Sequence, residues 1–151
     1  MVYCLFNVAD GQFGIPVGQV KEVLILPPVR PLPEAPPFIE GVITVRRHII
    51  AVIDLSKRFK ICLTPEDNRK VLVVRVRKMI LGLMVHDVAG VTELEGCTID
   101  SVTNVMDELW TGKSVTGIAH KGNQSIILLD LDHMLDPEEH RALEKAGHEN
   151  K

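Results

Sequence analysis

The chain repeats one pattern of short strands along its length, and this repeat limits the folds open to it. Residues 41–55 are echoed by residues 117–131 at an offset of 76, and residues 5–23 are echoed by residues 73–91 at an offset of 68. The identities are Gly41/Gly117, Ile50/Ile126, Asp54/Asp130, Leu55/Leu131, Val8/Val76, Gly14/Gly82, Val17/Val85, Val20/Val88 and Val23/Val91. Self-similarity at a fixed spacing is typical of a duplicated unit. The chain therefore reads as two related β-units.

Length and composition exclude several classes of partner. The 151 residues allow one domain built from two half-size units. A net charge of −3 supplies no basic field for nucleic acid. No apolar run approaches the roughly 20 residues of a membrane span, and the N-terminus does not resemble a signal peptide, so we expect a cytoplasmic protein with no direct membrane insertion. The three cysteines lack metal or disulfide spacing and are expected to be reduced.

Alternating apolar residues around short turns predict four hairpins. They cover residues 3–17, 38–55, 70–86 and 117–131, with Arg77-Lys78 and Gly122-Asn123 as two of the turns. The spacing of valines after Pro16 predicts one or two helical turns over residues 18–26, and the prolines of residues 27–37 predict an extended crossover. Because the offset rises by eight, we expect a longer loop within residues 92–116, containing Trp110. Residues 137–151 form the predicted helical tail.

These elements point to a mainly β fold. We expect small closed or partly closed barrels built from the two units, with short helices and a C-terminal helix. The whole chain, 1–151, is then a single domain. Its first subdomain covers roughly residues 10–68 with the strand 2–9 packed on it, and its second covers roughly residues 69–135.

No grouping of residues predicts catalysis. The six histidines lack helical metal spacing, the glycines match no nucleotide-binding pattern, and the serines and cysteines lack the context of a nucleophile. Asp130 and Asp132, with His120 or His133 nearby, leave open a divalent-metal or hydrolytic site. Since Asp130 repeats Asp54, where no second carboxylate follows, capping of the next turn is the favoured role.

Two further patterns suggest protein binding. Residues 30–37 have the form of a proline-rich ligand, although their position between two hairpins favours a structural role. Val20, Glu22 and Val23 place a carboxylate between valines, and Val88 and Val91 occupy the matching place in the second half. Such an apolar cleft with a charged rim is typical of a docking surface.

The sequence resembles the CheW-like chemotaxis adaptor domains. The resemblance is carried by residues 33–46 with 49–55, by Val20-Lys21-Glu22-Val23, by Val85-His86-Asp87-Val88 and by residues 126–131, which together span about residues 2–135. It implies two similar five-stranded, SH3-like barrels related by a pseudo-two-fold. It also implies a protein without enzymatic activity or cofactor, which links the cytoplasmic tip of a chemoreceptor (methyl-accepting chemotaxis protein) to the regulatory domain of the histidine kinase CheA.

The resemblance also implies roles for individual residues. The receptor-binding cleft would contain Val20, Glu22, Val23, Arg46 and Val88, and the kinase-binding face would contain Val45 and Ile49. No catalytic or metal-binding residue is implied. The family's usual N-L-R-G reads Thr44-Val45-Arg46-Arg47 here, so Arg47 replaces a turn glycine, and the family's proline is Ala51.

Overall fold

A computed structural model describes residues 2–8, 11–35, 39–55, 70–94, 98–101, 115–133 and 141. Its strands are β1 (Val2–Val8), β2 (Gly11–Pro16), β3 (Val20–Ile25), β4 (Ile39–Val45), β5 (His48–Asp54), β6 (Lys70–Val76), β7 (Met79–Val85), β8 (Asp87–Glu93), β9 (Thr98–Ser101), β10 (Val115–Lys121) and β11 (Gln124–Leu129). Short 3-10 helices cover Val17–Gln19 and Leu131–His133. The predicted mainly β fold is confirmed.

The strands form two sheets, each with one parallel pair at its centre. The five-stranded sheet has the order β3-β6-β7-β5-β4, and the six-stranded sheet has the order β8-β1-β2-β11-β10-β9. The parallel pairs are β5 with β7 and β11 with β2. Apart from the added strand β9, the two sheets have the same order of equivalent strands.

The repeat seen in the sequence extends to the strand register. Val20 pairs with Val74, and at an offset of 68 Val88 pairs with Phe6. Even the irregularities recur, because each of these ladders skips one residue at the same place, Lys21 in β3 and Ala89 in β8. The pairs Ile39 with Ile53 and Val115 with Leu129 show the same agreement at an offset of 76. The pseudo-two-fold therefore relates the two sheets residue by residue.

The two halves of the chain exchange hairpins. Val52 of β5 pairs with Gly82 of β7, and their equivalents Leu128 of β11 and Gly14 of β2 pair in the same way. The five-stranded sheet thus takes its strands from residues 20–54 and 70–85, whereas the strands of the six-stranded sheet come from both ends of the described chain, β1 and β2 on one side and β8 to β11 on the other. The expected subdomains 10–68 and 69–135 remain a prediction, and the hydrogen-bonded sheets follow a different division.

The predicted helical turns over residues 18–26 are wrong. After the 3-10 helix Val17–Gln19, residues Val20–Ile25 form strand β3 with alternating half-buried and exposed side chains. The β-branched valines favour a strand. Pairing with β6 supplies the backbone hydrogen bonds that a helix would have formed within itself. The helical turns were predicted because Val20 and Val23 are three residues apart, a spacing that also occurs on one face of a helix.

Among the described residues, three apolar clusters hold the fold together. The largest lies between the sheets and takes side chains from both, including Phe6 and Phe13, whose stacked rings are 5.9 Å apart. Each sheet also has a cluster of its own, around Val52 and Val73 in one case and Leu5 and Leu128 in the other. Strands buried on both faces need continuous apolar runs, which accounts for the fully buried residues Val71–Val74 of β6.

The segment after β3 connects the two edges of the five-stranded sheet. Arg30 and Val42 exchange two backbone hydrogen bonds of 2.9 and 2.8 Å, linking this segment to β4. The equivalent of Val42 is Ile118, which pairs with Asp100 of β9. The described part of the proline-rich segment, residues 27–35, is thus the predicted crossover. Closed barrels remain a prediction, because the sheets are seen here as packed layers.

Several predicted features fall partly or wholly outside the described residues. The long loop predicted within residues 92–116 contains strand β9, and Trp110 lies outside the description. The expected C-terminal helix, 137–151, is described only at Arg141. The turns Arg77-Lys78 and Gly122-Asn123 are confirmed.

Candidate docking surface

Strand β3 carries three of the predicted receptor-side residues. Val20 and Glu22 are half-buried and Val23 is 41% exposed. Val20 packs against the cluster shared by the two sheets. Strand β3 lies at one edge of its sheet, so its apolar residues stand beside a boundary that another protein can reach.

An ion pair joins β3 to the turn between β4 and β5. Nη2 of Arg46 lies 2.9 Å from Oε2 of Glu22, with 79% of the arginine side chain and 21% of the glutamate side chain exposed. Strands β3 and β4 occupy opposite edges of the five-stranded sheet. The structure therefore brings together two predicted site residues that are 24 positions apart in the sequence.

Val88 occupies the pseudo-symmetric position on the other sheet. It lies on edge strand β8, and like Val20 it is half-buried against the shared cluster. Val23 and Val91 form a second equivalent pair, 41% and 61% exposed. Val20 and Val88 thus lie on edge strands of different sheets, and both border the core between them.

The predicted kinase-side residues flank the β4–β5 turn. Val45 is half-buried against the cluster of the five-stranded sheet, and Ile49 is 42% exposed. Val45 pairs with His48, and Ile49 pairs with Thr44. The ion-paired Arg46 and the exposed Ile49 therefore belong to one hairpin tip, which we define as residues 44–49.

The backbone of this tip takes a conformation that arginine disfavours. Arg46 has φ 49° and Arg47 has φ 70°, the left-handed region that a two-residue hairpin turn of this kind requires. A residue with a Cβ loses roughly 1 to 2 kcal/mol there. Arg47, where the resemblance implied a glycine, adopts this conformation at that cost.

The large apolar side chain exposed at the end of β3 was not predicted from the sequence. Ile25 is 82% exposed at the end of β3, on the same face as Val23. The alternation of Lys21, Val23 and Ile25 was the available signal. The helical period predicted over residues 18–26 obscured it.

Asp130 caps the turn that follows β11, as expected. Its Oδ1 accepts a hydrogen bond from the backbone N–H of Asp132 at 3.1 Å, and its Oδ2 lies 2.6 Å from Nδ1 of His133. Oδ1 of Asp132 in turn accepts a hydrogen bond from the backbone N–H of Arg77. The backbone carbonyl oxygen of Asp132 accepts another from the guanidinium of Arg77. Among the described residues, no group of three or more His, Cys, Asp or Glu side chains could hold a metal ion.

Two groups in the described part of the chain have shifted pKa values with simple causes. A hydrogen bond from Lys70, whose Nζ lies 2.8 Å from Oδ1, lowers the pKa of Asp87, helped by the N–H of Val88 and by the charge of Lys70. Burial raises the pKa of the Cys4 thiol. Cys4 is a free, buried thiol, and Cys62 and Cys97 lie outside the described residues, so the expected reduced state stays a prediction. Neither shift resembles that of a catalytic acid or nucleophile.

Comparison with known proteins identifies the family. The model of the CheW-like domain matches residues 2–139. The chain belongs to the CheW-like family. Among the residues described, no helix is long and apolar enough to cross a lipid bilayer.

Relatives of known name and structure cover nearly the whole chain. The chemotaxis protein CheW of Thermotoga maritima is 28% identical over 131 residues, which are 87% of this chain and 85% of the relative. CheW of Treponema pallidum is 27% identical over 139 residues, covering 89% and 81%. The crystal structure of the scaffolding protein TtCheW from Thermoanaerobacter tengcongensis superposes with a TM-score of 0.79 at 30% identity, covering 91% of this chain and 94% of that one.

Membership of the CheW-like family confirms the expected biochemical class. The chain is a non-enzymatic adaptor of chemotaxis-type signalling, and the fold matches that of a scaffolding protein. The metal-binding or hydrolytic alternative and the proline-rich ligand gain no support from these relatives. Asp130 instead has the capping role described above.

Proposed function

We propose that the chain couples the cytoplasmic tip of a chemoreceptor to the regulatory domain of the histidine kinase CheA, in the cytoplasm. The observation that carries the proposal is the ion pair between Arg46 and Glu22, which places a charged group beside the exposed edge of β3. Membership of the CheW-like family supports an adaptor role. An adaptor needs at least two binding surfaces, and the hairpin tip 44–49 borders both candidate ones.

The receptor-side surface combines apolar contact with a few charges. Val20, Val23 and Val88 supply the apolar part, and Glu22 with Arg46 supplies the charges. Apolar area gives affinity once it is covered, while charges at the rim set orientation and exclude unsuitable partners. A helical tip with apolar side chains and a polar flank fits this surface.

The kinase-side surface is smaller and centred on the hairpin tip. Ile49 is exposed, and Val45, on the opposite face of the hairpin, is half-buried. Because Val45 and Ile49 flank the turn that carries Arg46, the two partners bind to neighbouring surfaces. Both can then be held at once by a single copy of the chain.

Binding of the purified chain to a receptor cytoplasmic fragment and to the kinase regulatory domain tests the proposal. Calorimetry should detect binding of each partner, and co-sedimentation should recover all three proteins together. Ile49→Asp should weaken binding of the kinase domain at least tenfold. Its matched control is Ser125→Asp, at the repeat-equivalent exposed position, which should leave that affinity unchanged. A chain that binds neither partner would contradict the proposal.

A further inference from the structure

The turn of the hairpin tip contains two consecutive arginines where its backbone favours other residues. Arg46 and Arg47 both have positive φ, at 49° and 70°. Asparagine and glycine are the usual residues of such turns, because they enter the left-handed region at little steric cost. The fold therefore tolerates this pair of arginines but gains nothing in backbone energy from it.

The second half of the molecule provides an internal comparison. The repeat places Arg46 and Arg47 on Gly122 and Asn123, which form the equivalent turn between β10 and β11. Gly122 has φ 61°, which glycine reaches at little steric cost, whereas Asn123 has no positive φ, so only one central residue of this turn enters the left-handed region. The arginines are thus a feature of one copy of the turn and are not a requirement of the architecture.

Of the three described arginines with positive φ, two have a structural partner. Arg46 pairs with Glu22, and Arg77 binds Asp132 through both its backbone N–H and its guanidinium. The side chain of Arg47 makes neither a hydrogen bond nor an ion pair with any residue that the structure describes. It is exposed, as is the neighbouring His48. Strain without an internal compensating contact is typical of positions that serve binding.

We infer that Arg47 is a charge-recognition residue, which receives a carboxylate from the partner that covers Ile49. This inference rests on the proposed function and specifies the chemistry of the kinase regulatory domain at this contact. An acidic side chain would meet Arg47 while an adjacent apolar side chain covers Ile49. The carboxylate fits because Glu22 neutralises Arg46, whereas the described residues leave the charge of Arg47 available.

The assignment to the kinase side follows from the position of Arg47 in the hairpin. Arg46 is held toward β3, the receptor-side strand, by its ion pair with Glu22. Arg47 directly precedes β5, which carries the exposed Ile49 two residues later. A charge beside an exposed apolar residue is a compact recognition unit, because burying the apolar group also excludes water from the charge pair.

The decisive experiment measures stability and binding of Arg47→Gly in the full chain. Glycine relieves the strained φ, so the midpoint of thermal unfolding should rise by about 2 to 4 °C. The affinity of the variant for the kinase regulatory domain should be about tenfold lower than that of the wild type. Added salt should also weaken binding of the variant less than binding of the wild type, because the variant lacks one ion pair. A purely structural role would move stability and affinity in the same direction.

Matched variants separate recognition of charge from other effects. Lys78→Gly removes one exposed positive charge from another hairpin turn and should leave affinity for the kinase domain unchanged. Arg47→Lys keeps the charge but not the two-pronged geometry of guanidinium, so it should retain part of the affinity.

Each outcome bears on one proposal only. If the wild type binds the kinase domain and Arg47→Gly binds it equally well with the same response to salt, the inference is overturned while the proposed function stands. A loss confined to the receptor fragment would overturn the assignment to the kinase side. If the wild type binds neither partner, the proposed function itself fails.

Discussion

The guanidinium of Arg46 lies 2.9 Å from the carboxylate of Glu22 and joins the β4–β5 turn to β3, at the opposite edge of the same sheet. Together with the backbone bonds between Arg30 and Val42, this ion pair brings the two edges of the five-stranded sheet toward each other. The hairpin tip is thereby positioned by residues distant in sequence, and its surface depends on the contact with β3.

Reversing the charge of Arg46 should affect binding far more than stability. Because most of its side chain is exposed, Arg46→Glu should lower the free energy of unfolding by less than about 1 kcal/mol. Affinity for a receptor cytoplasmic fragment should fall more than tenfold, or about 1.4 kcal/mol. Calorimetry and thermal unfolding measure the two effects. The double variant Glu22→Arg/Arg46→Glu should regain stability but not binding, and full recovery of binding would show that the pair merely holds the turn.

Gly41 should tolerate no side chain. A Cβ at this position would lie 2.1 Å from the carbonyl oxygen of Arg30, and the φ of 153° is itself unfavourable for other residues. Gly41→Ala should therefore lower the free energy of unfolding by about 2 to 3 kcal/mol, since the bridge to Val42 must separate. Urea denaturation measures the loss. Gly18→Ala, with no atom within 4 Å of the added Cβ, should change stability by at most about 0.5 kcal/mol.

Truncating Phe13 should destabilise both sheets together. Phe13 stacks on Phe6 in the cluster that takes side chains from both sheets, so Phe13→Ala should lower the free energy of unfolding by about 3 to 5 kcal/mol. Because the halves exchange hairpins, unfolding should remain one transition, followed by circular dichroism and by tryptophan fluorescence. Phe13→Leu removes less buried volume than Phe13→Ala, so this variant should lose less stability and remain folded. Two separate transitions would contradict cooperation between the sheets.

Asp87 should contribute a pH-dependent stability. Its pKa is lowered in the folded protein by the hydrogen bond from Lys70, so its contribution is present above the usual aspartate pKa and is lost as pH falls through the lowered value. Asp87→Asn should therefore lower the melting temperature at pH 7 and have no effect in strong acid. High salt should reduce the difference at pH 7, because 60% of the Asp87 side chain is exposed to solvent. A difference that persists unchanged at pH 2 would exclude this ion pair as its source.

Much of the candidate site can be predicted from the amino-acid sequence. The repeat and the family resemblance point to Val20, Glu22, Arg46 and Val88, and the structure places Glu22 in contact with Arg46. The predicted capping role of Asp130 is confirmed by its bond to the N–H of Asp132. Ile25 escapes prediction because valines three residues apart imitate a helical period in a strand that also alternates.

Local and periodic information in the chain specified its duplicated β-pattern, its tight turns and the equivalence of its two halves. Alternation and turn chemistry act over a few residues, so they can be read without knowing what a strand packs against. The exchange of hairpins was decided only in three dimensions. Val52 pairs with Gly82, and Leu128 pairs with Gly14, in the two parallel strand pairs. Strands that are apolar on both faces must be covered from both sides, and residues distant in the chain provide that cover. The same non-local packing turned residues 20–25 into a strand and brought Glu22 to Arg46.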